Sequence, residues 1–218
     1  MNATKTLLAS ALLLAAGAAS AATTVDIAFQ GMNGIELTTS DSYGYLTGAM
    51  QYTTGSGTSF EAFCVELAQG YAPTSYGLQN YSVGSFSGLQ SSLLQGLFSS
   101  SYAGLASAGQ KAAFQTAVWE ITHETSGTLN AAAGSFKFEY LSASSTVAED
   151  AAFLALTNGY LAAASTYTGA AKYTLTRLDN PVYQDVLTVT AVPEPASYAM
   201  LLAGLGAIGF VAGRRRQR

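Results

Sequence analysis

Apolar and polar positions alternate with a period of two near both ends of the chain, and with a helical period between them. Val25, Ile27 and Phe29 alternate with polar neighbours, which predicts a half-buried strand. Gly31 to Gly34 interrupt it and Ile35 to Leu37 resume it. Further strands are predicted over Tyr43–Tyr52 and Phe60–Leu67, with a turn at Gly55-Ser56-Gly57 between them. The stretch Tyr71–Tyr81, with Pro73 and Gly77, reads as loop. Leu89, Leu93, Leu94 and Leu97 then recur at helical spacing. Ala108–Glu124 is a second helix of good helix formers, ended by Gly127. Val147–Ala164 is a third, with Glu149 and Asp150 placed to complement its dipole. Lys172–Thr190 returns to alternation through Tyr173, Leu175, Val186, Leu187 and Val189. Strands, about three helices, then strands predict an α+β domain: a β-sandwich or barrel-like sheet with a helical insertion.

The two ends follow neither period. Lys5, the apolar run Leu7–Ala19 and the small residues Ala19-Ser20-Ala21 read as a secretory signal peptide over residues 1–21. Residues 22–191 are then the exported domain. At the other end, Pro193-Glu194-Pro195 precedes an uncharged apolar run, 196–213, just long enough for a transmembrane helix. A basic tail follows at 214–218, with Arg214, Arg215, Arg216 and Arg218. It orients the span with its basic end in the cytoplasm. Motif, span and arginines in this order over 192–218 resemble the PEP-CTERM sorting signal of Gram-negative bacteria. The resemblance implies exosortase-type processing machinery as a partner and at least transient inner-membrane anchoring. Delivery to the cell surface or extracellular matrix would follow.

Charge narrows the partners. The exported domain carries Lys111, Lys137, Lys172 and Arg177 against twelve acidic residues, so it is about eight charges negative. Nucleic acid, which needs a basic face, is not an expected partner. His123 is the only histidine, which excludes a multi-histidine metal site. No phosphate loop, dinucleotide fingerprint or G-x-S-x-G elbow occurs. No metal or cofactor is expected.

The chain has one cysteine, Cys64, so it cannot form an intramolecular disulfide in an oxidising compartment. On the predicted strand, Phe63, Val65 and Leu67 share one face and Cys64 the other. With Phe63 and Val65 against the sheet core, Cys64 would face a helical layer on the opposite side. On the second helix Gln115, Val118, Trp119 and Thr122 share a stripe with Ala108 and Ala112. A buried amide there must find partners or lose about 1–3 kcal/mol. By spacing alone, Cys64 reads as a buried core thiol and Gln115 as a hydrogen-bonded core amide.

Phe63-Cys64-Val65 and Phe114-Gln115-Thr116-Ala117-Val118-Trp119 together resemble the paired signatures of bacterial thioester domains. The resemblance implies an internal thioester between Cys64 and Gln115 and covalent attachment to an amine or hydroxyl on a surface or matrix partner. That is a single-turnover reaction rather than an enzyme's. Phe63, Phe114, Val118 and Trp119 would surround the bond, with Phe114 and Trp119 excluding water. Glu66, Glu120 and His123 are acid–base candidates. Two other readings stay open: a non-covalent structural or glycan-binding matrix protein with Cys64 in its core, and a secreted hydrolase using His123.

Overall fold

The computed structural model describes residues 23–32, 34–39, 44–192 and 202–205. The predicted signal peptide, the motif Pro193-Glu194-Pro195 and the tail arginines lie outside the described residues, as does all but 202–205 of the predicted span. Among the described residues no helix is long and apolar enough to cross a membrane.

Alternating strands close on themselves. β1 (Thr24–Met32), β4 (Met50–Thr54), β5 (Ser59–Cys64), β9 (Val186–Ala191), β8 (Tyr173–Asp179) and β6 (Gln79–Gly84) form a closed antiparallel barrel in that order. This settles the choice between sandwich and barrel. β2 (Ile35–Thr39), β3 (Gly44–Thr47) and β7 (Phe138–Tyr140) form a separate three-stranded sheet. That second sheet is not predicted from the sequence. The single strand expected over Tyr43–Tyr52 divides at Gly48-Ala49, and its two halves join different sheets.

The three predicted helices are present as α1 (Gly88–Ser101), α2 (Ala108–His123) and α3 (Val147–Thr166). Each opens with a capping box: Ser87 with Gln90, Ser107 with Gln110, Thr146 with Glu149. α2 ends at His123, before the expected stop at Gly127. It is buried at every residue from Ala112 to Ile121, because it lies between the barrel, the small sheet and both other helices. A helix covered all round has no single apolar stripe.

β5 is covered on both faces as well. Ala62 and Cys64 join the cluster of Ile27, Tyr52, Tyr81 and Val186, while Phe63 and Val65 join that of Phe98, Phe114, Val118 and Leu187. The sequence reading had these faces reversed. Phe63 meets the helices, and Cys64 lies with the barrel residues together with Ala112, Ala113 and Trp119 of α2, the helix expected to present Gln115 to it. In a closed barrel the tightly filled side is the interior, and here small residues of β5 occupy it.

α1 and α3 cross closely at Gly96, where an added methyl group would run into the Ala164 carbonyl oxygen. Gly96→Ala is expected to cost about 1–3 kcal/mol through overpacking, read as a lower urea midpoint. An unchanged midpoint would count against this close crossing.

Candidate functional site

Cys64 is the last residue of β5. Val65 N donates to Asp185 O at 3.0 Å, so the N–H and C=O of Cys64, opposite Val186, point away from β9. On the side they point to, β4 stops pairing at Met50, opposite Ala62. Two main-chain groups are thus left at a buried edge, and each needs a partner.

Gln115 satisfies both. Cys64 N donates to Gln115 Oε1 at 2.7 Å, and Gln115 Nε2 donates to Cys64 O at 2.7 Å. Both residues are buried, Gln115 at 1 % and Cys64 at 3 % exposure. The double bond lays the amide along the cysteine's own peptide edge. Its acyl carbon is thereby held beside the residue that carries the sulfur. One turn earlier, Lys111 forms an ion pair with Glu61 of β5. One turn later, Trp119 lines the same cleft as Cys64. α2 therefore runs Lys111, Gln115 and Trp119 in a row toward the end of β5.

A cleft of about 270 Å³ lies over the pair, lined by Cys64, Gln115 and Trp119 together with Tyr45, Tyr71 and Gln184 among others. Among the described residues no charged side chain lines it. The Cys64 thiol donates to Glu66 O at 2.6 Å, and Gln184 Nε2 donates to the same oxygen at 3.2 Å. Burial pushes the thiol up to about 12. The Trp119 indole N–H and the Glu66 main chain act against that rise, and the Glu66 and Asp185 carboxylates add to it. At neutral pH Cys64 is thus a protonated, shielded thiol.

The other sequence candidates fall in different places. Phe63, Phe114 and Val118 pack on the helical side, where Phe114 meets Phe63, Phe98 and Tyr160 edge-on or tilted. Glu66 contributes its main chain to the cysteine, while its carboxylate accepts from Ala68 N at 2.6 Å. His123 packs its ring toward Phe136 and places Nδ1 2.9 Å from Thr122 Oγ1. It is not among the residues lining the cleft. The sequence reading missed Lys111, Tyr45, Tyr71 and Gln184. Lys111 had a signal: it is a lone cation one turn before Gln115.

Glu120 lies away from the cysteine. It lines a second cleft, of about 230 Å³, with Gln90, Leu93 and Glu124. Its Oε1 accepts from Asn130 N at 2.8 Å, and its Oε2 has no partner among the described residues. Burial raises its pKa from 4.5 to about 7, against the Asn130 hydrogen bond and with help from Glu124. The folded chain therefore holds this proton more tightly than the unfolded one. Stability from this group is full below pH 4.5 and is lost as pH rises toward 7. Glu120→Gln should remove that loss, so its Tm should gain on the parent between pH 4.5 and 7. A Tm difference that stays constant over this window would contradict the shift.

A PEP-CTERM protein-sorting motif occupies residues 191–216. Just inside this segment, Val192 N donates to Lys172 O at 2.8 Å, next to the paired ends of β8 and β9. Among solved structures, the chain is similar to the N-terminal thioester domain of a surface protein from Clostridium perfringens. The identity is 14 %, the TM-score is 0.43, and the match covers 78 % of this chain and 100 % of that one. It is also similar to the N-terminal domain of the Streptococcus pyogenes pilus tip adhesin Cpa. There the identity is 14 %, the TM-score is 0.44, and coverage is 75 % and 97 %. No curated protein matches the chain.

Proposed function

We propose that this is an exported surface or matrix protein whose Cys64 and Gln115 condense to an internal thioester, ready for covalent attachment to a partner's amine or hydroxyl. The observation that carries the reading is the double hydrogen bond between the Gln115 amide and the Cys64 main chain. In the condensation, the sulfur attacks the Gln115 acyl carbon. The S–C bond forms, the C–N bond breaks, and ammonia leaves with the thiol proton. The negative charge that develops on Oε1 meets the Cys64 N–H already placed at 2.7 Å, as in an oxyanion hole. The residues around the cleft keep the product from bulk water until a nucleophile enters. The PEP-CTERM motif supports export and exosortase-type processing near residues 193–195, with release to the surface or matrix.

A second reading has its own observation. The Cys64 N–H and C=O sit at a buried edge without a strand partner, and an unreacted glutamine satisfies them fully. Cys64 and Gln115 would then be a structural clamp in a non-covalent matrix or glycan-binding domain. Intact mass of the freshly purified chain separates the two. A chain short by one ammonia that takes up methylamine carries the thioester. A full-mass chain with a titratable thiol and an intact amide is the clamp alone.

A further inference from the structure

The chain contains a single tryptophan. Trp119 is 1 % exposed, yet its indole N–H has no hydrogen-bond partner among the described residues. Buried donors are rarely left so. The ring shares the cleft wall with Cys64 and Gln115. Tyr45, which lines the same cleft, packs against it at 5.5 Å between ring centroids and tilted by 56°. Of the groups acting on the Cys64 sulfur, this N–H is the one that most favours negative charge there. In the resting thiol it has little to bond with. The S–H is directed at Glu66 O, and a neutral thiol is a weak acceptor. A thiolate is a strong one.

We propose that Trp119 is the leaving-group donor of this site: its indole N–H bonds the Cys64 sulfur as the C–S bond breaks. The inference rests on the thioester reading above. The balance is simple. An amine attacks the Gln115 acyl carbon, an amide forms, the C–S electron pair passes to sulfur, and the proton lost by the amine ends on Cys64. The indole gives up no proton. It stabilises the sulfur between bond breaking and protonation, in a cleft where no charged side chain among the described residues can do so. A contact that is weak to the thiol thus becomes a strong hydrogen bond as the sulfur gains charge, which is the differential interaction that accelerates a step.

The test uses the fact that Trp119 is the only tryptophan. Expression in a tryptophan-auxotrophic host with benzothienylalanine exchanges this one N–H for sulfur and nearly preserves the ring's shape. Two rates are then compared with the tryptophan chain: opening by methylamine, followed by intact mass, and alkylation of the freed Cys64 thiol by iodoacetamide across pH. Opening is expected to slow by roughly 10- to 100-fold, at or below the low end of the range for loss of one oxyanion-hole donor. The alkylation curve should move to higher pH. Loss of a merely space-filling group would leave that curve in place or speed alkylation by improving access. An alkylation curve at the same pH in both chains overturns the proposal, whatever the opening rate. Equal opening rates overturn it too. No methylamine uptake by the tryptophan chain overturns the thioester reading itself, and the leaving-group role falls with it.

Discussion

Cys64→Ala is expected to run at its full calculated mass and to take up no methylamine at all, whereas the parent chain is expected to run short by one ammonia and to gain one methylamine. The effect is all or none because the sulfur is one of the two atoms of the bond. The same substitution should disturb the fold little. The groups that Gln115 holds are the main-chain N–H and C=O of residue 64, and alanine keeps both. Removing the thiol leaves a small cavity in the barrel-side cluster, a cost of about 1 kcal/mol per methyl-sized group. Gln115→Glu is the complementary variant. A carboxylate has no ammonia to release and is a poor acyl donor, so this chain should also run at full mass, with a free Cys64 thiol that alkylates once the chain is unfolded. A Cys64→Ala chain that still takes up methylamine would place the reactive acyl group elsewhere and end the proposal. So would a parent chain at full mass with its Gln115 amide intact.

Much of this arrangement is legible along the chain, and the parts that are not have identifiable reasons. α1 can be read from its leucine period although half of its fourteen residues are serine or glycine, and α2 and α3 from alanine-rich runs of sixteen and twenty residues. β6 is not read as a strand, its first half falling in the loop expected over Tyr71–Tyr81, because only Tyr81 of its six residues is fully buried. A strand whose outer positions are polar or glycine leaves little alternation to detect. β7 has three residues and is created by pairing with β2, which no local pattern announces. The reversed faces of β5 have a different cause. Alternation shows that Phe63 and Cys64 point opposite ways, but both sides of this strand are buried, so hydrophobicity could not say which side was the barrel. The pairing of Cys64 with Gln115 came from the resemblance of two short motifs. What the sequence could not show is that the amide meets the cysteine's backbone as well as its neighbourhood. That depends on where β4 stops pairing, a fact of sheet register.

The same register makes Gln115→Leu the most damaging substitution expected at the site. Leucine matches glutamine in size but can neither accept from Cys64 N nor donate to Cys64 O. Both groups lie at a buried edge facing away from β9, beyond the point where β4 pairs. At about 1–3 kcal/mol for each buried group left unmade, two groups give roughly 2–6 kcal/mol, partly offset by the apolar surface that leucine buries. If the parent chain carries the thioester, Nε2 has already left as ammonia, so the variant then loses the Oε1 contact to Cys64 N and a cross-link between residues 64 and 115, the latter in the manner of a cut disulfide. Urea unfolding of four chains separates these contributions. Cys64→Ala removes the cross-link and keeps the clamp. Gln115→Leu removes both, and the double variant should add little to Gln115→Leu because the two residues act through one contact. A Gln115→Leu midpoint equal to that of Cys64→Ala would mean the clamp contributes nothing to the folded chain. The amide would then have been held beside the cysteine for its chemistry alone.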